Sequence, residues 1–274
     1  MRLLRRALQS GFSLVEMAVV LAIIGLLLAG MLLPLGAQID QQNTNETQRR
    51  LDLARDALLG FALTNRRLPC PASATSVGLE VISTTFTPGG GVCNSTTVWN
   101  GYIPAATLGL LPVNSSQLFV DAWGNPIRYA VTDFTLAFTV SGTPGTRPFT
   151  STDGMRAVYN ASTAGLAALL PTPPPIHLGV CTTATGITGS GATADCPAAN
   201  VLSNNSVAVI FSTGKNSPTG GVGADEAANL NVDRVFVSHT PNPSTATGGE
   251  FDDVMIWLSP YLLFNRMIVG GALP

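Results

Sequence analysis

Near its start, the chain carries 23 consecutive residues without a charged side chain, residues 17–39. A helix rises about 1.5 Å per residue, so a run of this length is enough to cross the roughly 30 Å hydrocarbon core of a membrane. Residues 1–11 contain three arginines and no acid. Basic residues before an apolar run favour a cytoplasmic start and export of everything that follows. The sequence therefore predicts a membrane-spanning N-terminal segment and an exported remainder.

One interpretation of this segment is a secretory signal peptide, cut near Leu35-Gly36-Ala37. The run is longer, however, than the roughly 7–15 apolar residues of such a peptide. Glu16 also stands at its start, and an ionised carboxylate inside a membrane costs several kcal/mol unless it is paired. These two features favour a retained helix in which Glu16 has a function.

Residues Gly11-Phe12-Ser13-Leu14-Val15-Glu16, with the apolar run that follows, closely resemble the prepilin signal of type IV pilins and type II secretion pseudopilins. The resemblance implies that prepilin peptidase cuts after Gly11 and methylates the new N-terminal Phe12. Residues 1–11 would then be a leader peptide, and residues 12–39 a transmembrane helix that later enters a filament core. In that core the Glu16 carboxylate would pair with the Phe12 ammonium of a neighbouring subunit and so serve in assembly.

A helical stripe of apolar residues follows the membrane segment. Four positions are spaced three, four and three residues apart: Leu51, Ala54, Leu58 and Phe61. This spacing is typical of a helix with one face on a core, and Pro69 would stop it. We therefore expect an amphipathic continuation over residues 40–68 and a globular periplasmic or extracellular head over residues 69–274.

The head contains one recognisable motif and several strand patterns. Residues 121–129, Asp-Ala-Trp-Gly-Asn-Pro-Ile-Arg-Tyr, resemble the D-x-W-G-x-P-x-x-Y motif of major pseudopilins, in which a tight turn leads into a strand. Alternating or β-branched segments predict strands at residues 127–132, 135–140, 207–212, 232–238 and 254–258. Pattern and resemblance both predict an α+β, pilin-like fold, with a long N-terminal helix packed on an antiparallel β-sheet.

Between about residues 141 and 205 the composition changes to Gly, Ser, Thr, Ala and Pro. A stretch of this kind does not form a second well-packed domain. We expect a large irregular insertion at the surface, with one short helix at residues 164–170. This insertion is the part of the chain expected to be most specific to the protein.

Four cysteines in an exported chain indicate two disulfide bonds. Three pairings are possible, and Cys70–Cys93 with Cys181–Cys196 is preferred because each bond then closes a short loop. The cysteines lack CxxC spacing and have no His within the reach of a zinc finger, which argues against a zinc site.

Six of the 16 acidic residues lie between positions 225 and 253. Carboxylates and backbone carbonyls are the ligands that Ca²⁺ prefers. Residues 211–257 also resemble, in part, the C-terminal calcium loop of major pseudopilins. The resemblance implies that Asp252 and Asp253 would supply carboxylates to Ca²⁺, with carbonyl groups from the loop at 214–223.

The calcium pattern has three departures in this sequence, one of which is a much longer intervening loop. Asn216 stands where an Asp is expected, and Lys215 adds a positive charge that would repel a cation. A calcium site and a solvated acidic loop are therefore both open interpretations of this segment.

Residues Ser212-Thr213-Gly214-Lys215 match the S-x-x-K motif of penicillin-binding enzymes. That chemistry needs the Ser at the start of a helix, whereas here it ends a predicted strand. The partner motifs S-D-N and K-T-G do not occur in the sequence. We therefore expect no enzymatic activity.

The leading hypothesis is a structural subunit, a minor or specialised pilin or pseudopilin, that acts by polymerisation in a type IV pilus-like filament or a type II secretion system. Its expected partners are prepilin peptidase, other pilin subunits and an inner-membrane assembly platform. Its expected location is the bacterial inner membrane, as a single-pass protein with a periplasmic head, or a cell-surface filament. Cutting after Gly11 leaves 11 basic and 16 acidic side chains, a net charge of −5, so no nucleic-acid partner is expected. The alternative is a membrane-anchored, exported adhesin or ligand-binding module.

Overall fold

The computed structural model describes residues 13–83, 93–94, 96–135, 147–170, 177–216, 223–246 and 249–274. Its first helix, α1, is Leu14–Asn65. The chain divides into two compact units between Asn43 and Thr44. In the part of the chain that the structure describes, no helix combines the length and the apolar character that a membrane span requires.

The end of α1 is set by one backbone conformation. The sequence predicts a helix that continues to residue 68, but α1 ends at Asn65. The next residue, Arg66, has a φ of 55°, in the left-handed region that commonly terminates helices. The helix is therefore closed by this turn, ahead of the stop that Pro69 would impose.

Apolar residues of the second half of α1 form one side of the hydrophobic core of the head. Leu51, Ala54 and Leu58 are fully buried, as the sequence predicts. The fourth predicted position, Phe61, is only half-buried, and Ala62 is the fully buried residue of that turn. Ala62 lies four positions after Leu58, so the buried stripe keeps its helical period.

The head contains seven named strands and four further α-helices among its described residues. The strands are β1 (Gly101–Tyr102), β2 (Arg128–Val131), β3 (Leu178–Cys181), β4 (Val201–Ser206), β5 (Ala208–Ser212), β6 (Val235–Val237) and β7 (Val254–Leu258). The helices are α2 (Ala105–Leu108), α3 (Gly154–Ala161), α4 (Ala224–Leu230) and α5 (Pro260–Val269).

Four of these strands form an antiparallel sheet in the order β1-β2-β5-β7. Its inward residues share one hydrophobic core with α1, and Tyr129 on β2 is fully buried there. The hydroxyl of Tyr129 donates to the carbonyl of Pro69 at 3.0 Å, which ties the sheet to the segment after α1. The predictions of a long helix against an antiparallel sheet, and of strands β2, β5 and β7, are confirmed.

The remaining strands form a second sheet that the sequence analysis did not predict. Its order is β4-β3-β6, and the β3–β6 pair is parallel. β3 and all of β4 except Ser206 lie inside the stretch 141–205, so the prediction of an irregular insertion there is wrong for these residues. All four residues of β3 are buried, and Leu178 and Val180 pack in one apolar cluster with residues of both sheets. A segment this short does not alter the Gly-, Ser- and Thr-rich average on which the prediction rested.

Other predicted elements differ in detail. The strand expected at 232–238 is the three-residue β6, and it belongs to the second sheet, not the first. The short helix expected at 164–170 is a 3₁₀ helix, Gly165–Leu169. Of the strand expected at 135–140, residue 135 lies outside any strand, and residues 136–140 lie outside the described residues.

Both preferred disulfide bonds are present, Cys70–Cys93 and Cys181–Cys196. The first links the segment after α1 to the segment before β1, and the second links the end of β3 to the segment before β4. Cys181 and Cys196 also pack with Val235 of β6 in a small apolar cluster. The second bond therefore lies in the interior of the second sheet region.

The last helix, α5, returns to α1. Leu263 and Met267 are fully buried in the same core as Leu51 and Leu58. Gly270, just after α5, approaches the side chain of Leu63 so closely that a Cβ atom there would collide with it. The core of the head thus joins the first and the last helices of the chain.

Candidate functional site

The N-terminal motif enters the described part of the chain at Ser13. Gly11 and Phe12, the predicted cleavage and methylation residues, lie outside the described residues. The Ser13 N–H donates to Glu16 Oε2 at 2.9 Å, and the Glu16 N–H donates to Ser13 Oγ at 3.1 Å. This reciprocal pair is a capping box, which satisfies N–H groups of the first turn of α1. It leaves the exposed Glu16 carboxylate at the start of the helix.

The D-x-W-G-x-P motif forms a tight turn around one buried carboxylate. Asp121 accepts hydrogen bonds from the N–H groups of Trp123, at 2.9 Å, and Asn125, at 2.8 Å. The hydroxyl of Ser212, at the end of β5, donates to the other carboxylate oxygen of Asp121. Burial raises the pKa of Asp121, although these hydrogen bonds act in the opposite direction. The turn is thereby fixed to the end of a central strand.

Two side chains of α1 hold the same turn. Arg50 Nη1 donates to the carbonyl oxygens of Val120, at 3.0 Å, and Asp121, at 2.7 Å. The hydroxyl oxygen of Thr47 accepts from the N–H of Ala122 at 3.2 Å, and Thr47 is fully buried. The turn therefore connects α1 to β5.

Next to this turn lies an acidic cluster, formed by Glu226, Asp252 and Asp253. Glu226 is in the first turn of α4, and the two aspartates immediately precede β7. One carboxylate oxygen from each residue lies within 4.8 Å of the others. Glu226 and Asp253 are buried, at 1% and 6% exposure. The structure thus brings the two predicted aspartates together and adds Glu226 to them.

The loop after β5 supplies hydrogen bonds to one aspartate of the cluster. Asp252 Oδ2 accepts from the N–H groups of Lys215, at 2.8 Å, and Asn216, at 3.2 Å. The other oxygen, Asp252 Oδ1, is buried and accepts no hydrogen bond from any described residue. It lies against Gly214, whose φ is 66°, so closely that a Cβ atom there would collide with it. Gly214 therefore allows the loop to approach the carboxylate.

Glu226 is held by donors from two directions. Asn216 Nδ2 donates to both of its carboxylate oxygens, at 3.1 and 3.2 Å. The N–H of Asp252 donates to Glu226 Oε1 at 2.9 Å. On the far side of the cluster, Asn229 Nδ2 donates to Asp253 Oδ2 at 2.7 Å.

The pKa values of all three acids are raised. Burial is the first cause in each case, and neighbouring acids add to it. For Asp253 the pKa is raised to about 8, with repulsion from Glu226 and Asp252 as secondary contributions. The negative charges of the cluster are thus poorly compensated by the hydrogen bonds around them.

The donor set fits a hard cation. Ca²⁺ binds oxygen ligands at about 2.3–2.6 Å, so ligands on opposite sides of it are about 5 Å apart. The three carboxylate oxygens of the acidic cluster lie within 4.8 Å of one another, close enough for all three to contact one such ion. The unsatisfied Asp252 Oδ1 supplies the kind of atom that a cation binds. Of the loop predicted to add carbonyl ligands, residues 217–222 lie outside the described residues.

The S-x-x-K match has a structural role in the described geometry. Ser212 is fully buried, its hydroxyl donates to Asp121, and it accepts from the N–H of Gly214 at 3.1 Å. It ends β5, as the sequence predicts, and Lys215 lies in the following turn with an exposed side chain.

Sequence reasoning did not assign Glu226 to the site, because α4 was not predicted. A signal was present: Asp225 and Glu226 follow Gly223 and lie in the first turn of the helix, where acids favour the helix dipole. The glycine-rich sequence before them indicated a loop instead.

Comparison with known proteins gives one match. The family model of the prokaryotic N-terminal methylation motif, the type IV pilin and pseudopilin signal, matches residues 6–32. The matched segment includes Gly11, Phe12 and Glu16. No curated protein and no solved structure matches the chain.

Proposed function

We propose that this chain, which carries the prokaryotic N-terminal methylation motif, is a minor or specialised pilin or pseudopilin that is processed after Gly11 and acts by polymerisation. The motif match carries this proposal. Residues 17–39 have no charged side chain, which supports their insertion in the inner membrane and their later packing in a filament core. Prepilin peptidase, other pilin subunits and an inner-membrane assembly platform are the partners of such a subunit.

Glu16 is the residue that links processing to assembly in this proposal. Cutting after Gly11 creates an ammonium group on Phe12, four residues before Glu16. In an apolar filament core, the carboxylate of one subunit compensates the ammonium of its neighbour, and this pairing fixes the axial register of the two subunits. The exposed position of Glu16 at the start of α1 supports such a contact.

The size of the head supports a specialised subunit. The mature chain would have 263 residues, which is larger than a typical major pilin. The second sheet and α4 account for part of that size and lie between the strands of the first sheet in sequence.

Calcium binding at the acidic cluster is the second part of the proposal. Asp252 and Asp253 would hold the ion, and its charge would offset the repulsion among the acids. The fit of the carboxylate spacing and the unsatisfied Asp252 Oδ1 support this assignment. Melting of the full-length protein in detergent, with millimolar calcium or with a chelator, tests it. A melting temperature that does not respond to calcium contradicts it.

The test of the main proposal is the N-terminus of the chain in a host with a prepilin peptidase. We expect the mature protein to begin at N-methyl-Phe12, as measured by intact mass and N-terminal sequencing of the membrane fraction. The Gly11→Ala variant should be cut poorly, because the peptidase site loses its small residue. A mature terminus at Gln38 would show an ordinary signal peptide and would favour the exported adhesin or ligand-binding module.

A further inference from the structure

A small pocket lies where the two sheets of the head meet. Its volume is about 60 Å³, which is enough for roughly two ordered water molecules or for one small organic group. Segments that are distant in sequence supply its walls, at residues 99, 132–133, 177–178, 192 and 234. These residues are distinct from the acidic cluster and from the turn that Arg50 holds. The pocket is therefore a separate feature of the head.

The indole of Trp99, just before β1, forms part of the wall. Trp99 packs against the apolar residues of both the core of the head and the cluster between the two sheets. Its Nε1 atom is buried and has no hydrogen-bond partner among the described residues. A buried donor without an acceptor costs free energy, so a group that carries an acceptor is expected beside it. Trp99 therefore offers an unused donor at the pocket.

A carboxylate acceptor lines the same pocket. Asp133 follows β2, and its two carboxylate oxygens accept from Nε and Nη2 of Arg147. Each carboxylate oxygen can accept a further hydrogen bond, so Asp133 can also bind the N–H of a ligand. The neighbouring polar groups are already paired. The Thr132 hydroxyl donates to Nδ1 of His177, and the opposite ring nitrogen donates to the Leu169 carbonyl.

The charges around the pocket are balanced within the protein. The Asp133 carboxylate is paired with Arg147. The guanidinium of Arg234, just before β6, interacts electrostatically with Asp195 and Asp233. An ionised ligand would lose its hydration without gaining an uncompensated partner, whereas a neutral polar group loses less. The pocket is therefore suited to a neutral group that has one acceptor and one donor.

The pocket also has an apolar part and an opening. Leu178, the first residue of β3, is buried in its wall. Ala192 belongs to the short 3₁₀ helix Gly191–Thr193, inside the loop that the Cys181–Cys196 bond closes. Since Ala192 is exposed, the pocket is open to solvent on this side. A loop fixed by a disulfide bond thus forms an apolar rim at the entrance.

We propose that this pocket binds the acetamido group, CH₃–CO–NH, of an N-acetylated amino sugar. The carbonyl oxygen accepts from the Trp99 indole, the N–H donates to Asp133, and the methyl group contacts Leu178 and Ala192. A backbone amide of a peptide has chain on both sides and does not fit a pocket of this size, whereas a sugar carries the acetamido group as a terminal substituent. The choice of a sugar rests on the proposed export of the head, since exported proteins meet the glycans of cell walls and cell surfaces.

The experiment uses the full-length, ¹⁵N-labelled protein in detergent micelles, titrated with N-acetylglucosamine and followed by NMR. The chain has three tryptophans, Trp99, Trp123 and Trp257, whose indole N–H resonances are assigned by replacement with Phe. We expect the Trp99 resonance to shift with a Kd in the millimolar range, because one small neutral group makes only a few contacts. The Trp257 resonance should stay in place. Glucose, which has a hydroxyl in place of the acetamido group, should leave the Trp99 resonance unchanged.

A pair of variants tests the indole donor. Trp99→Phe keeps an aromatic ring but removes the N–H, and it should raise the Kd by roughly three- to tenfold, measured on the backbone N–H of Ala192. The matched control is Trp257→Phe. Trp257 also packs against the cluster between the sheets but lies outside the pocket, so this variant should change the Kd by less than about twofold. If Trp99→Phe does not fold, the comparison of the two sugars on the wild type decides the question.

The outcomes separate this inference from the proposed function. An unchanged Trp99 resonance, at many times the expected Kd, shows that the pocket holds water only and overturns the proposal. An equal shift with glucose overturns the role of the acetamido group. A shift with a glutamine-containing tripeptide but not with the sugar indicates an amide side chain of a protein partner, and overturns the sugar. Each of these results leaves processing after Gly11 and polymerisation untouched, because binding is measured on the purified protein.

Discussion

Arg50 donates a hydrogen bond to the carbonyl oxygen of Asp121 at 2.7 Å, across 71 positions of sequence. A second bond from the same nitrogen reaches the carbonyl of Val120 at 3.0 Å. Since Arg50 is on α1 and the two carbonyls begin the turn before β2, this contact holds the helix against the sheet. The Arg50 side chain is only 20% exposed, so its hydrogen bonds are partly shielded from competing water.

Replacement of Arg50 by Ala should lower the free energy of unfolding of the head by about 3 kcal/mol. Hydrogen bonds to a charged donor contribute about 1.5–3 kcal/mol each, and the variant leaves two carbonyls without that donor. Chemical denaturation of the full-length protein in detergent measures the change. Arg49→Ala is the control, because Arg49 is 81% exposed and its replacement should cost less than about 0.5 kcal/mol. Equal losses in the two variants would contradict the role of Arg50.

Variants of Glu16 distinguish helix capping from charge pairing. Glu16→Gln keeps an acceptor for the Ser13 N–H but cannot compensate an ammonium, whereas Glu16→Ala loses both functions. Breaking a buried ion pair costs about 3–5 kcal/mol, so both variants should enter filaments about a hundredfold less well or worse, although both are processed. Immunoblots of sheared filaments and of membranes measure this. Normal assembly of Glu16→Gln would show that capping is sufficient and that the charge is not needed.

His177 makes the head sensitive to acid. Its Nε2 lies 2.8 Å from the Leu169 carbonyl and must therefore carry the hydrogen, while Nδ1 accepts from the hydroxyl of Thr132 at 2.9 Å. Burial lowers the pKa of His177 from 6.5 to about 4. The unfolded chain therefore binds a proton at a higher pH than the folded one. The neutral His177 makes its full contribution to the free energy of unfolding above about pH 6.5. This contribution decreases as pH falls towards 4, and at pH 5 it is smaller by about 2 kcal/mol.

The acidic cluster opposes this dependence, so the effect of His177 is measured as a difference. The raised pKa of Asp253 means that the folded state binds a proton more tightly than the unfolded state. Ionisation of Asp253 therefore lowers the free energy of unfolding increasingly as pH rises towards 8. Unfolding free energies of wild type and His177→Gln should be compared at pH 5 and pH 8, with a chelator present. The wild type should lose about 2 kcal/mol more than the variant between pH 8 and pH 5. Parallel pH profiles would contradict a neutral, buried His177.

The Cys181–Cys196 bond should stabilise the second sheet. The sequence predicts a surface insertion here, but the bond lies in a buried apolar cluster with Val235 of β6. It closes a loop with a sequence separation of 15, and a loop of that length is worth about 3 kcal/mol in the unfolded chain. The double variant Cys181→Ser with Cys196→Ser should lose about that amount, and the loss should appear first as faster hydrogen exchange in β3. An unchanged unfolding free energy would contradict this prediction.

Sequence patterns predicted the helices, strands and turns that are encoded by residues close together in the chain. The period of Leu51, Ala54 and Leu58 identified the helix, and the motif ending at Tyr129 identified the turn and β2. The second sheet depends instead on a parallel pairing of β3 with β6, whose residues are more than 50 positions apart. β3 is too short to show a period of its own, and the strand pattern at residues 232–238 does not indicate its partner, so the pairing could not be inferred.

In the candidate site too, the residues within a recognisable local pattern were predicted, and the residue brought in by a distant segment was not. Asp252 and Asp253 were identified from the density of acidic residues between positions 225 and 253 and from the partial resemblance to the calcium loop of major pseudopilins. Glu226 depends on where α4 lies, and a seven-residue helix after a glycine-rich loop is too short for a periodic signal. The position of its carboxylate is set by contacts with Asn216 and Asp252, which only the folded chain brings together.

The union of α1 and α5 in one core has a consequence for folding during export. Leu51 and Leu58 share this core with Leu263 and Met267, which are synthesised about 200 residues later. Until then, the apolar stripe on α1 has no complete covering, and contacts between such distant segments form slowly. A chain exported from its N-terminus, as proposed above, would therefore expose this stripe until its last helix has emerged.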